Sequence, residues 1–136
     1  MSYLSTGILN KHPNTTMALS ELVNLNPSTT VKIRIKVINW STNTTITDTE
    51  FTLYPNTSIN FLVFLVNPDM EINSEKYEIR YQTSCDFNVF MNSYGVDNSR
   101  ANQEGNTILF KNLNAITNTA FNLGNCSPTT GSITSL

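Results

Sequence analysis

The chain has 136 residues, a net charge of −2 and only 13% charged side chains, while 20 Asn and 19 Thr fill its polar positions. That length suits a single domain with a core of its own. Eight scattered Lys and Arg residues exclude a phosphate-binding stripe, so no nucleic-acid partner is expected, and no run approaches the roughly 18 apolar residues of a membrane span.

Residues 1–16 are mixed and lack periodicity. Tyr3, Leu4, Ile8 and Leu9 are apolar, but Ser5, Thr6 and Gly7 separate them, and His12-Pro13-Asn14 reads as a break. This predicts an N-terminal arm whose Ile8 and Leu9 dock on a neighbouring subunit. The first 26 residues hold no apolar run of signal-peptide length, so synthesis without a cleaved leader is expected.

From Met17 the pattern turns to strands. Leu19, Glu21 and Val23 alternate with Ala18, Ser20 and Leu22 as a weak strand, and Asn26-Pro27-Ser28 is a turn. Val31, Ile33, Ile35 and Val37 then face one way while Lys32, Arg34 and Lys36 face the other, which predicts a strand with one dry and one wet, positive face. Trp40 is expected to cap that core. Ser41 to Asp48 reads as a polar loop, followed by a strand through Phe51 and Leu53 and a turn at Pro55-Asn56-Thr57. Phe61 to Val66 is apolar throughout, so both faces of that strand are predicted to be covered, by this chain or by another molecule. After a break at Asn67-Pro68-Asp69, strands are expected through Tyr77, Ile79 and Tyr81 and through Phe87, Val89 and Met91. A loop is predicted from Ser93 to Gly105, then strands at Ile108–Leu113 and Ala120–Leu123, then a polar tail. With about seven to nine strands and no convincing helix, the expected fold is all-β: one antiparallel β-sandwich, jelly-roll or Ig-like, over residues 17–123. Residues 1–16 form the arm and 124–136 the tail.

The chemistry-bearing residues are few. The single histidine, His12, lies in the arm, where no base could be held rigidly against a nucleophile. The carboxylates Asp48, Glu50, Asp69, Glu71, Glu75 and Glu104 fall mostly in predicted loops, as solvated acids do. Asp69 with Glu71, or Asp97 with Glu104, could offer oxygens to calcium, but the DxDxDG spacing is missing. A Lys–Asn amide cross-link needs a lysine on the core side, and Lys32 and Lys36 are predicted to face away. No enzyme, cofactor or metal is expected. Cys85 and Cys126 form no CxxC pair. They read as incidental thiols, or as a disulfide within the chain or between subunits. The sequons at Asn14, Asn39, Asn43, Asn56 and Asn125 are about as many as chance supplies among so many Asn, Ser and Thr. The aromatic residues read as core more than as a sugar-stacking platform.

Three stretches stand out: Leu25-Asn26-Pro27 followed by Val31–Trp40-Ser41, Tyr77-Glu78-Ile79-Arg80, and Gln103-Glu104-Gly105-Asn106-Thr107-Ile108-Leu109. Over about residues 18–113 the chain resembles small spore-associated proteins of Bacillus-type bacteria, and among them the subunits of endospore appendages, fibres of the spore surface. The resemblance implies a self-assembling subunit of a spore-surface or extracellular fibre, polymerising as one copy's N-terminal segment inserts into the next. Appendage subunits carry cysteines in that segment; residues 1–16 have none, so the implied docking is non-covalent. Tyr3, Leu4, Ile8, Leu9, Phe61, Phe64 and Val66 are the expected subunit contacts, with Cys85 and Cys126 as the candidate intersubunit disulfide. The expected partners are copies of itself and a spore-surface anchor or tip protein. The alternative is an adhesive or carbohydrate-binding jelly-roll on a cell, spore or particle surface.

Overall fold

Alternation sets the strands, and the apolar half of each alternating run chooses the core. In the computed structural model, which describes residues 1–70 and 72–122, the elements are β1 (Ser2–Ser5), β2 (Leu9–Asn10), β3 (Met17–Asn24), β4 (Val31–Asn39), β5 (Thr44–Leu53) and β6 (Thr57–Phe64). They continue with β7 (Val66–Asn67), β8 (Ile72–Asn73), β9 (Lys76–Thr83), β10 (Val89–Val96), β11 (Asn102–Ile108), β12 (Asn114–Ala115) and a short helix, α1 (Asn118–Asn122). Six strands form one sheet in the order β12-β1-β9-β4-β5, with β2 also pairing β9; four form a second in the order β11-β10-β3-β6. β7 and β8 make a separate ribbon. Neighbouring strands are antiparallel, as in a β-sandwich.

The core lies between the two sheets. Val31, Ile33, Ile35 and Val37 of β4 and Tyr77, Ile79 and Tyr81 of β9 supply one side. Ala18 and Leu22 of β3, Val63 of β6, and Val89 and Met91 of β10 supply the other. The Tyr81 hydroxyl is satisfied across the core by Ser20 Oγ at 2.8 Å. The Tyr77 hydroxyl, equally buried, has no hydrogen-bond partner among the described residues.

The first 16 residues correct the expectation of an arm. β1 pairs along β9 from Ser2↔Thr83 to Ser5↔Arg80, and β2 continues with Leu9↔Tyr77. Leu4 and Leu9 pack on the core of their own chain. The cause is the edge of β9, whose backbone groups would otherwise lack partners. Asn106 fixes the segment further. Its Oδ1 accepts from the His12 N–H and the Thr15 hydroxyl, both at 2.8 Å, and its Nδ2 donates to the Asn10 carbonyl at 2.9 Å. Gly95 makes room for it: a Cβ on Gly95 would sit 2.4 Å from Asn106 Cβ.

Other boundaries also move. The predicted loop 41–48 is mostly strand, because Thr44 onward pairs with β4 as far as Asn39↔Thr44. The predicted loop from Ser93 to Gly105 is largely β10 and β11 joined by a short turn at Asp97–Ala101. The strand predicted at Ile108–Leu113 ends at Ile108, and Phe110–Asn112 is a 3-10 turn. Ala120 and Phe121 lie in α1, not in a strand. Leu123, the tail 124–136 with Cys126 and Asn125, and Glu71 lie outside the described residues.

Candidate assembly surface

Each sheet has an outer face, and the two differ. On the six-stranded sheet the outward positions are those predicted to be wet. Arg34 of β4 donates to Asp48 of β5 through Nε at 2.8 Å and Nη2 at 2.7 Å. That pairing holds the Asp48 carboxyl below its ordinary range. On β9, Arg80 grips Glu78 through Nε at 2.9 Å and Nη2 at 3.0 Å, while Trp40 Nε1 at 2.9 Å and the Ser5 hydroxyl donate to the same carboxylate. Burial alone would raise the Glu78 pKa; these donors outweigh it and hold the carboxyl low. Trp40 therefore serves this network rather than capping the core.

α1 closes the face from above. Phe121 is fully buried, its ring 5.2 Å from the Arg34 guanidinium, 6.0 Å from Lys36 Nζ and 5.7 Å from the Tyr3 ring. Lys36 Nζ donates to the carbonyls of Phe121 and Asn122 at 3.4 and 3.3 Å, and Arg80 Nη1 to that of Ala120 at 2.7 Å. Cations thus hold carbonyls of the helix's last turn, where the helix dipole favours positive charge. Lys36 is only 7% exposed and burial lowers its pKa, so the expected wet face of β4 is wet only toward Lys32.

The four-stranded sheet is the reverse. Its outward positions form rows across the strands: Tyr94–Leu19–Leu62, then Asn92–Glu21–Asn60, then Phe90–Val23–Ser58. Phe64 stands beyond the first row at 51% exposure, and Phe90 is 38% exposed. The one charge in these rows is Glu21, which the Tyr94 hydroxyl hydrogen-bonds; burial and this bond push the Tyr94 pKa up. An antiparallel sheet with a solvated face is expected to be polar there. Six of these ten residues are Leu, Val, Phe or Tyr.

The expected contact residues are scattered by the fold. Phe61 turns inward and meets Phe51 edge-to-face at 4.8 Å. Tyr3, Leu4 and Leu9 lie in their own sheet, and Val66 is half-buried in β7. Ile8 and Phe64 are exposed. Cys85 is half-buried, its thiol 3.4 Å from the Phe87 carbonyl. Leu19, Val23, Leu62, Phe90 and Tyr94 were not in the expected set. Their signal is the apolar outer parity of β3, where Leu19 and Val23 alternate with the equally apolar Ala18 and Leu22 of the core.

A second apolar site occupies one end of the sandwich. Asn24 Nδ2 donates to the carbonyls of Thr29, Leu53 and Tyr54 at 2.8, 3.1 and 3.3 Å, and its Oδ1 accepts from Asn26. Asn26 Nδ2 in turn donates to the Phe87 carbonyl at 2.9 Å. This buried amide pair ties three turns together, and from them Leu25, Tyr54 and Phe87 project at 53%, 64% and 75% exposure. No group of three His, Cys, Asp or Glu residues suited to a metal occurs among the described residues.

No protein-family model matches the chain, and none of the curated proteins matches it. Among solved structures, the chain is similar to the crystal structure of Thermotoga maritima 1070, which aligns over 84% of this chain and 90% of that one, with 15% sequence identity and a TM-score of 0.46.

Proposed function

We propose that this chain is a structural, non-catalytic subunit that associates with copies of itself in a fibre of the spore surface or another extracellular site. The observation that carries this reading is the apolar outer face of the four-stranded sheet, where Phe64 and Phe90 are exposed and no helix among the described residues lies over Leu19, Val23 and Leu62. Large exposed patches of this kind on a soluble domain are commonly sites of association. A polar, weakly charged remaining surface suits packing among like copies. β5, ten residues long, ends the six-stranded sheet among the described residues, and strand addition at that end supplies a contact that need not close. The resemblance to appendage subunits points the same way and adds an anchor or tip protein as a further partner.

The N-terminal segment enters this reading differently from its sequence-based role. β1 belongs to its own sheet, so giving it to a neighbour would first require breaking its pairing with β9. Deleting residues 1–16 is therefore expected to unfold the protein, seen as loss of the cooperative urea transition, and not merely to block polymerisation. The test of the reading is sedimentation and negative-stain imaging over a concentration series. Oligomers or filaments are expected, and a strictly monomeric protein at every concentration would overturn it.

A second reading rests on Leu25, Tyr54 and Phe87: an adhesive or carbohydrate-binding module that stacks a sugar on the aromatic end. Glycan-array binding that is lost in Tyr54→Ala and Phe87→Ala, by a protein that stays monomeric, would favour it.

A further inference from the structure

We propose that the end of the sandwich built by the turns 25–30, 54–56 and 84–88 is a docking tip that rests in the interfacial layer of an uncharged lipid bilayer. The proposal stands apart from self-association. It takes Leu25, Tyr54 and Phe87, the residues of the sugar-stacking reading, and assigns them a different partner.

Shape is the first observation that selects lipid. The three side chains project at 53%, 64% and 75% exposure from three separate turns. Such a convex tip has no walls to enclose a small ligand, whereas a bilayer interface accepts projecting Leu, Tyr and Phe side chains. The backbone beneath them is the second. The Tyr54 carbonyl accepts from Asn24 Nδ2 at 3.3 Å and from the Thr57 hydroxyl at 2.6 Å. The Phe87 carbonyl accepts from Asn26 Nδ2 at 2.9 Å, and the Leu25 N–H donates to the Asn88 carbonyl at 2.8 Å. A turn leaves water at little cost only when its backbone groups keep partners of their own. The same bonds count against a sugar. Asn24 and Asn26 are buried, and their amides are committed to the turns instead of facing a ligand's hydroxyls. They also fix the three turns in advance, so docking orders little that was free.

Charge is the third observation. Asp86 is the only charged residue in these turns, and its carboxylate accepts from the Ser2 hydroxyl and, at 3.1 Å, from the Met1 amino group. With no Lys or Arg there, nothing in the turns attracts anionic headgroups, so a neutral bilayer suffices. Asp86 beside Phe87 holds the tip at interfacial depth, because a carboxylate resists entry into hydrocarbon. Three side chains at that depth give weak, reversible binding, as a single acyl anchor does.

The test is flotation of the full chain with phosphatidylcholine vesicles at low and high salt. Binding is expected, with the same strength at both. Phe87→Ser and Tyr54→Ser should each weaken it by about tenfold, and Leu25→Ser by several-fold. Phe87→Trp should keep binding, and its new fluorescence should be quenched by lipid labelled in the acyl chain. The parent's own Trp40 follows the far end of β4 and should not be quenched. No flotation by the parent would overturn the proposal, as would binding that needs anionic lipid and vanishes in salt. Flotation that survives the combined Leu25, Tyr54 and Phe87 serine variant would overturn the choice of tip. Glycan-array binding lost in the same variants, without flotation, would give these residues to the sugar reading instead. Circular dichroism and sedimentation that match the parent for each variant keep misfolding and self-association out of the comparison.

Discussion

The two outer faces of the sandwich invert the usual rule. Part of the face whose sequence is charged is covered by α1, while among the described residues no helix covers the face whose sequence is apolar. On the six-stranded sheet, Arg34, Lys36, Glu78 and Arg80 would be a solvated surface if nothing crossed them; Lys36, Glu78 and Arg80 are buried, and Arg34, beneath the Phe121 ring, stays partly exposed. On the four-stranded sheet, no helix among the described residues crosses the half-buried Leu19, Val23 and Leu62, and only the Phe110 ring packs on Phe90, at 5.2 Å. Alternation therefore reports which residues share a face, and a separate element decides whether water reaches it. Glu78→Ala tests the covered side most severely. It leaves Arg80 buried without its carboxylate and frees Trp40 and Ser5, so a loss of about 3–5 kcal/mol is expected in urea unfolding. Phe121→Ala removes the ring on which Arg34, Lys36 and Tyr3 rest, for a loss of about 3 kcal/mol.

The covered face should also set the acid limit of the fold. Asp48 and Glu78 titrate lower when folded than when unfolded. As pH falls the unfolded chain takes up protons first, so stability present above about pH 4 is lost as pH drops through the folded values. The urea midpoint is expected to decline from pH 5 to pH 2, and Glu78→Gln should flatten that decline. An unchanged slope in the variant would show that the Glu78 network does not govern it. Away from both faces, Gly95→Ala forces a Cβ against Asn106 and is expected to cost about 1–3 kcal/mol. Tyr77→Phe removes a buried hydroxyl without a partner and should raise stability by up to about 1 kcal/mol.

Much of the fold could be read from period-two patterns. The runs through β4 and β9 state their core faces outright, because Val, Ile and Tyr alternate with charge. The failures have separate causes. The N-terminal segment hides its strands because β1 and β2 are four and two residues long, too short for periodicity, and their place is set by the edge of β9 about 70 residues away. β5 hides because Thr serves on either face of a strand, so Thr44 to Thr49 offers Ile46 as its single apolar residue and no alternation. α1 escapes because five residues make little more than one turn, and its anchor is tertiary: Phe121 and three carbonyls held by cations from other strands. The candidate surface was half legible. The apolar run from Phe61 to Val66 marked β6 as two-sided, yet only register could show that Phe61 points inward, that Leu62 and Phe64 point out, and that β3 and β10 continue the patch.

The smallest expected effect separates the two faces most cleanly. Leu62→Arg places a charge on an outward position of the four-stranded sheet beside Leu19, with water available to its guanidinium. Substitutions at such surface sites usually change stability by less than about 0.5 kcal/mol, and the urea midpoint should hardly move. Association through this face should fail, because the same guanidinium would be buried unpaired in the contact with a second copy. A monomer as stable as the parent would assign the apolar pattern of this face to assembly. A loss of several kcal/mol in the monomer would instead show that Leu62 is held by its own chain, making the face an exposed part of the core.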